Sequence, residues 1–255
     1  MNHTKRAEFM GHPTGLFVLF FTEMWERFSY YGMRALLVLY LTTATTGSGA
    51  LAGLGWGKKE AFALYGTYTM LVYVASIPGG LLADKVFGQK RAVLYGGLIL
   101  CVGHLVLALP GISAFYGGLG LIIAGVGLLK PNISTMVGGL YEKGDDRRDK
   151  GFNIFYMGIN IGALLAGVIV GTIGETKGWH YGFGLAGIGM LFGQAVYMWG
   201  QKHLEGVGEL VSKSTSKDLA AAAQKPLSKI EKDRMLVLFL AFFIVIIFWL
   251  SLIHI

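Results

Sequence analysis

Long apolar runs alternate with short polar segments along the whole chain. A helix needs about 20 mostly apolar residues to cross the hydrocarbon core of a membrane. Six runs meet this length, near residues 15–44, 60–83, 91–110, 114–141, 151–173 and 179–200, and a seventh fills residues 235–255. The pattern predicts an all-α, polytopic membrane protein with an N-terminal bundle of six helices and the start of a seventh transmembrane helix.

The polar stretch after the sixth run separates the predicted domains. We expect an N-terminal six-span transmembrane bundle over residues 1–203, a cytoplasmic linker over 204–231, and a truncated start of a C-terminal bundle over 232–255. A lone seventh helix has no partners to pack against, so we expect the natural protein to continue beyond residue 255. The first apolar run is too long for the core of a signal peptide, and no cleavable one is expected.

Composition supports the membrane class and weighs against others. Of 255 residues, 54% are hydrophobic and only 15% are charged, and the mean hydropathy is +0.57. A soluble domain of this size would carry more polar surface. The six histidines are scattered and the single cysteine, Cys101, has no neighbouring base. We therefore expect neither an enzyme nor a metal site.

The basic residues predict the orientation. With the N-terminus inside, the inner segments hold 16 Lys or Arg residues and the outer loops hold three, Lys58, Lys59 and Lys177. Basic residues accumulate on the cytoplasmic side of membrane proteins. This distribution predicts a cytoplasmic N-terminus, and it attributes the net charge of +7 to membrane topology and not to nucleic-acid binding.

Polar side chains within the first span fall on one helical stripe. The stripe consists of Glu23, Glu26, Arg27, Tyr30, Tyr31 and Arg34. Each charge at the centre of a bilayer costs about 2.5–3.5 kcal/mol, so the stripe is expected to face a protein interior or a wet cavity. A carboxylate there can change its protonation state, and an Arg fork can bind a ligand carboxylate. A purely structural ion-pair lock between helices is the alternative.

Other spans contain further polar positions. Lys130 precedes Pro131 well inside the fourth span, too deep for simple snorkelling. In the fifth span Asn160 lies on a polar helical face, for which structural and functional interpretations are both open. Tyr68 in the second span, taken alone, fits a core position. His104 in the third span fits a satisfied core histidine better than a proton carrier.

The loop between the second and third spans combines glycines with charged residues. It contains Gly79, Gly80, Asp84, Lys85, Gly88, Lys90 and Arg91. Glycines permit a tight turn, and Asp84 can pair with a basic residue across the loop. We interpret this segment as a conformational latch, although an ordinary basic inner loop is the alternative.

Three of these segments together resemble the proton-coupled oligopeptide transporter family of the major facilitator superfamily. The segment from Glu23 to Gly32 is similar to its first signature, residues 152–164 to its second, and residues 128–132 to its fourth-span motif. The Asp84 loop resembles the less specific loop motif of the superfamily. The resemblance covers essentially residues 9–250.

The resemblance implies a twelve-span major facilitator fold in the cell membrane, in which two six-span bundles alternate access to a central site. The implied activity is proton-coupled symport of di- and tripeptides, with protons as the coupling ion and no other cofactor. Its partners would be the peptide substrate, protons, the lipid bilayer and the missing C-terminal six-span bundle, without nucleic acid.

The resemblance also assigns roles to residues. Proton coupling would involve Glu23, Glu26 and Arg27; substrate binding would involve Arg27, Tyr30, Tyr31, Arg34, Tyr68, Lys130 and Asn160; gating would involve Asp84, Lys85 and Arg91. One departure concerns the seventh span, where the family carries an acidic residue shortly after a Phe-Trp pair. Here Phe248 and Trp249 are followed by residues 250–255 without a carboxylate.

Two other functions stay open at this point. A member of the same family could carry another small solute, such as nitrate or another metabolite. The chain could also be a non-transporting fragment, since the N-terminal half alone is expected to be inactive.

Overall fold

The computed structural model describes residues 7–46, 49–142, 144–210, 226 and 228–253. A short antiparallel hairpin (β1, Glu8–Phe9; β2, His12–Pro13) precedes the helices. These are α1 (Thr14–Thr42), α2 (Lys58–Val74), α3 (Ser76–Leu82), α4 (Gln89–Leu107), α5 (Ile112–Gly139), α6 (Arg147–Leu165), α7 (Thr172–Lys177), α8 (Trp179–Gly200) and α9 (Lys229–Ile253). Short 3₁₀ turns cover Gly49–Leu51 and Gln201–Leu204, and π-helical segments cover Ala83–Phe87 and Ala166–Gly171.

Two of the predicted spans form long helical runs that are not regular α-helix throughout. The second covers Lys58–Phe87 and the fifth covers Arg147–Lys177. The second is interrupted at Ala75, between α2 and α3. Pro78 has no N–H to donate to the carbonyl of Val74, which explains an interruption at this point. By contrast, α5 runs through Pro131 as one helix.

Within the described residues, five helical runs are long and apolar enough to cross a membrane. They correspond to the second to sixth predicted spans. The first helix, α1, has 29 residues and is therefore roughly 43 Å long, enough to span a bilayer. It is not among the five runs because it carries four charged residues, Glu23, Glu26, Arg27 and Arg34. The all-α, polytopic membrane class is confirmed, and the count of six spans stays a prediction.

Glycines allow the helices of the bundle to approach closely. A Cβ atom built on Gly125 of α5 would lie 2.8 Å from the carbonyl oxygen of Gly96 in α4. A Cβ on Gly158 of α6 would lie 2.9 Å from Cδ2 of Phe20 in α1. Small residues at such crossings are typical of membrane helices, because backbones can then pack directly against each other.

The chain divides into two compact units, Met1–Leu210 and Val211–Ile255. The first contains α1 to α8 and the second contains α9. Leu204 and Val207 are buried in the first unit, so the packed chain of the bundle continues beyond residue 203. The predicted domain boundaries otherwise stay a prediction.

Polar contacts hold the N-terminal hairpin at the end of the first unit where α1 begins. Arg147 at the start of α6 donates to Oε1 of Glu8 (3.0 Å) and to the carbonyl of Gly11 (3.1 Å). Its guanidinium also donates to Asp145 at 2.8 Å, and these hydrogen bonds hold the pKa of Asp145 below its ordinary value. The contacts fix the N-terminal hairpin to the connection between α5 and α6.

Candidate functional site

The stripe on α1 faces the protein interior. Glu23, Glu26 and Arg27 are exposed by only 2%, 1% and 3%, and Tyr30 is also buried. Tyr31 and Arg34, one to two turns further along, are half-buried. The spacing of these residues in sequence predicted a common face, because residues three and four positions apart lie above one another on a helix.

Two carboxylates share the guanidinium of Arg27. Its Nε donates to Oε1 of Glu23 at 2.7 Å and lies 2.8 Å from Oε2 of Glu26. Within the described part of the chain, Oε2 of Glu23 and both carboxylate oxygens of Glu26 have no hydrogen-bond partner. If all three groups are ionised, Arg27 can compensate only one of the two carboxylates, and a buried carboxylate without an ion-pair partner of its own is energetically costly. A proton on one carboxylate would remove its charge.

The position of Arg27 is fixed by close packing between α1 and α6. A Cβ atom on Gly162 of α6 would lie 3.1 Å from Cβ of Arg27 and closer still to the carbonyl oxygen of Met24. The backbone of α6 therefore lies directly against the turn of α1 that carries the charges.

A second cation approaches the site from α5. Nζ of Lys130 lies 4.2 Å from the centre of the Tyr73 ring, a distance typical of a cation–π contact. Its charge acts on the Glu26 carboxylate. Among the described residues, Lys130 has no ion-pair partner. The lysine is thus a half-buried cation that an anionic group could neutralise.

Tyrosines of α2 complete this side of the site. Nε of Arg34 donates to the hydroxyl of Tyr65, and its guanidinium lies 5.1 Å from the centre of that ring. Tyr68 is buried, its hydroxyl has no partner in the described ranges, and the charges of Glu26 and Arg34 act on it. Tyr68 therefore lies with the α1 stripe, which its sequence context alone did not indicate.

Sequence reasoning missed the roles of Tyr65 and Tyr73. They hold the two cations, Arg34 and Lys130, through the contacts given above. Their spacing of eight residues places them on one face of a regular helix, and this was the available signal.

For four other predicted site residues, the described ranges show no hydrogen bond or ion pair with this cluster. Asn160 of α6 is exposed, and its Nδ2 donates to the carbonyl of Tyr156 in its own helix. The predicted gating residues Asp84, Lys85 and Arg91 are exposed. Across the described ranges, Asp84 forms no ion pair, so the predicted pairing across the loop is not observed. The roles of these residues stay predictions.

His104 of α4 differs from the expectation of a satisfied core histidine. Its side chain is fully buried, and neither ring nitrogen has a hydrogen-bond partner in the part of the chain that the structure describes. It lies against α8, where a Cβ on Gly187 would be 3.3 Å from Cβ of His104.

The cluster as a whole combines groups that can exchange protons with groups that can bind an anion. Its members are Glu23, Glu26, Arg27, Tyr30, Tyr31, Arg34, Tyr65, Tyr68, Tyr73 and Lys130, which we call the α1 cluster. No group of three metal-ligating side chains occurs among the described residues. The α1 cluster itself consists of two carboxylates, three cationic side chains and five phenols.

Curated relatives of the chain are transporters. It is 54% identical over 190 residues to the Uncharacterized transporter YclF of Bacillus subtilis, covering 74% of this chain and 38% of that protein. It is 45% identical over 210 residues to a Di-/tripeptide transporter of Lactococcus lactis, covering 82% of this chain and 42% of that protein. The chain thus spans less than half the length of these relatives.

Solved structures and a family model agree with these relatives. The fold matches a crystal structure of the peptide transporter POT in complex with sulfate, with a TM-score of 0.77 and 46% identity, over 96% of this chain and 47% of that one. The model of the POT family (PTR2) matches residues 90–235. On these matches, the chain belongs to the POT family.

Proposed function

We propose that this chain is the N-terminal half of a secondary active transporter that couples inward proton flow to symport of di- and tripeptides by alternating access. Relatives named as di-/tripeptide and peptide transporters support the substrate class. A solved relative in complex with alafosfalin, 46% identical, supports a site for small ligands. The proposal includes a C-terminal six-span bundle that this chain lacks.

The single observation that carries the proposal is the sharing of Arg27 by two buried carboxylates. Glu23 and Glu26 compete for one guanidinium within 2.8 Å. A peptide carboxylate that binds Arg27 or Lys130 would weaken the attraction of these cations for the Glu26 carboxylate, which would then take up a proton. The proton would be released again when the peptide leaves. Binding of substrate and binding of a proton are linked in this way through one set of charges.

The other members of the α1 cluster would bind the peptide. Arg27, Lys130 and Arg34 supply cations for its carboxylate, and Tyr30, Tyr31 and Tyr68 supply hydroxyl groups and ring faces. Asn160 would contact the amino end or backbone of the peptide when the second bundle closes over the exposed face of α6. Asp84, Lys85 and Arg91 would hold the gate.

The proposed setting is the cell membrane, with the N-terminus in the cytoplasm, as the distribution of basic residues predicts. The peptide is moved and not cleaved, so the protein is not proposed to be an enzyme. Protons are the only coupling species, and the partners are the lipid bilayer, the peptide and the second bundle, without nucleic acid. The chain by itself is proposed to be inactive.

The test uses a transporter of full length that carries this chain as its N-terminal part. It is reconstituted in liposomes with an inward proton gradient, and uptake of a labelled dipeptide is compared with uptake of nitrate. We expect gradient-dependent dipeptide uptake that unlabelled tripeptides inhibit. Uptake of nitrate without dipeptide uptake would favour the alternative substrate, and the absence of both would contradict the proposal.

A further inference from the structure

The chain that leaves α8 folds back onto the turn before α4. Residues 204–210, which we call the exit segment, begin at the last residue of the 3₁₀ turn and remain in the first unit. Leu204 and Val207 of this segment are buried. A Cβ on Gly139, at the end of α5, would lie 3.2 Å from Cγ1 of Val207. The exit segment therefore lies across the end of the bundle where α1 begins.

The exit segment caps the first turn of α4. The backbone N–H of Lys90 donates to the carbonyl of Gly208 at 2.8 Å. The first N–H groups of a helix have no partner within the helix, and Gly88, the residue before α4, provides no side-chain cap. A segment 118 positions further along the chain thus supplies the missing acceptor.

Two glycines make this contact possible. Gly88 and Gly208 have φ values of +77° and +67°, a region that favours glycine. A Cβ on Gly208 would lie 3.0 Å from both the backbone nitrogen of Lys90 and Cγ of Met136. A Cβ on Gly88 would lie 2.6 Å from the backbone nitrogen of Leu210. The exit segment therefore leaves no room for a side chain at Gly88, and the start of α4 leaves none at Gly208.

The same turn is also held from α8. The hydroxyl of Tyr197, which is fully buried, donates to the carbonyl of Lys90 at 2.8 Å. The backbone of Lys90 is therefore bound at both its N–H and its carbonyl. Of the predicted gating residues, Asp84 and Lys85 lie in the π-helical segment before Gly88, and Arg91 lies in the first turn of α4. Their exposed side chains make no ion pair within the described ranges.

We propose that Gly208 is a positioning residue of the gate, because its carbonyl accepts from the N–H of Lys90 and so fixes the backbone between Lys85 and Arg91. This proposal rests on the proposed transport function. The exit segment forms the first part of the predicted linker over residues 204–231, so the same backbone contact joins the gate to the proposed connection between the two bundles. Release of the contact would leave the first turn of α4 uncapped, and the backbone that carries the gating side chains would no longer be held in place.

The test compares Gly208→Val with the milder Gly208→Ala, in the transporter of full length that carries this chain. Gly144→Val is the matched control, since Gly144 also has a positive φ, of +91°, but a Cβ there would meet nothing within 4 Å. Hydrogen exchange at the Lys90 amide and the kinetics of dipeptide uptake are both measured. We expect roughly tenfold faster exchange in Gly208→Val, a smaller increase in Gly208→Ala, and no change in the control.

The kinetic result separates positioning from substrate binding. We expect the turnover rate of Gly208→Val to fall about fivefold or more, with KM within about twofold of the unsubstituted protein. Slow exchange at Lys90 in both Gly208 variants would overturn the docking contact. Fast exchange with unchanged turnover would overturn the role in gating. If the unsubstituted protein transports a solute other than a dipeptide, the proposed substrate is wrong. The gating proposal is then tested by measuring the transport rate of that solute in the same variants.

Discussion

Arg27 donates from Nε to Oε1 of Glu23 at 2.7 Å, one turn away on the same helix, and both side chains are almost completely buried. The same nitrogen lies 2.8 Å from Glu26. One guanidinium thus contacts two carboxylates, and its single charge can compensate only one of them. The proposed link between proton binding and substrate binding follows from the competition of Glu23 and Glu26 for Arg27.

The first prediction concerns the unequal importance of the Arg27 and Glu26 charges for stability. Replacing one partner of a buried ion pair typically costs about 3–5 kcal/mol, because a buried charge is left unpaired. Arg27→Ala leaves two buried carboxylates, so we expect a loss in this range. Glu26→Gln leaves the pair of Arg27 and Glu23 intact and should cost about 1 kcal/mol. Unfolding in detergent at pH 7 measures both, and equal losses would contradict the shared guanidinium.

The second prediction concerns the contact between α6 and the charged turn of α1. A methyl group at Gly162 would collide with Arg27 Cβ at 3.1 Å and with the backbone of Met24. We expect Gly162→Ala to destabilise the protein by about 1–3 kcal/mol and to impair dipeptide uptake. Gly167→Ala is the control, since nothing lies within 4 Å of its Cβ position, and Ala has the higher helix propensity. Unchanged unfolding of Gly162→Ala would show that α1 and α6 are not in direct contact there.

The sequence predicted the features that depend on a single helix. Apolar runs placed α1, α4, α5 and α8 within a few residues of their observed bounds, and the spacing of the charges identified the buried stripe of α1. Both features follow from the 3.6-residue period and the thickness of a bilayer. The interruption at Ala75 was not predicted, although its cause, Pro78, is a local feature of the sequence. The π-helical segments were not predicted either, because they depend on contacts with neighbouring helices.

Contacts between distant segments could not be predicted from one sequence. Arg147 binds Glu8 across 139 positions, and Gly208 caps α4 through its backbone carbonyl, which has no signature in the sequence. Tyr68 looked like a core residue because nothing on its own helix pairs with it. The charged residues that act on Tyr68, Glu26 and Arg34, belong to α1, so its place in the cluster depends on tertiary packing.

The third prediction concerns the unsatisfied histidine of α4. His104 is fully buried with both ring nitrogens unpaired within the described residues, and such groups cost about 1–3 kcal/mol. We expect His104→Leu to raise the free energy of unfolding by about 1 kcal/mol or more. His12 is the matched control, since its Nδ1 lies 2.8 Å from the hydroxyl of Tyr141. His12→Leu should therefore destabilise, and a loss of stability in His104→Leu would reveal a partner for its ring.

The fourth prediction concerns the pH dependence of the N-terminal hairpin. Hydrogen bonds from Arg147 lower the pKa of Asp145 in the folded protein. Its stabilising contribution is therefore present above the unfolded-state value of about 4 and is lost as the pH falls through the lower folded value. We expect the amide of Thr14, which donates to the carbonyl of Ala7 within the hairpin region, to lose protection from hydrogen exchange in that range, relative to the intrinsic rate.

Two variants test the assignment to Asp145. Asp145→Asn should reduce the protection of the Thr14 amide at neutral pH and remove its dependence on acid. Asp146→Asn changes the neighbouring carboxylate, which makes no side-chain cap hydrogen bond at the start of α6, and should behave like the unsubstituted protein. An acid transition that persists in Asp145→Asn would assign the effect to another group.

The most direct test of the account is uptake by Glu26→Gln in liposomes that contain the transporter of full length. Two modes are measured in the same preparation: uptake driven by a proton gradient, and exchange of labelled for unlabelled dipeptide without a gradient. Because Gln cannot take up and release the proton, we predict that gradient-driven uptake is lost and that exchange remains within about threefold of the unsubstituted protein. Gradient-driven uptake at an unchanged rate would contradict the role of the carboxylate pair around Arg27.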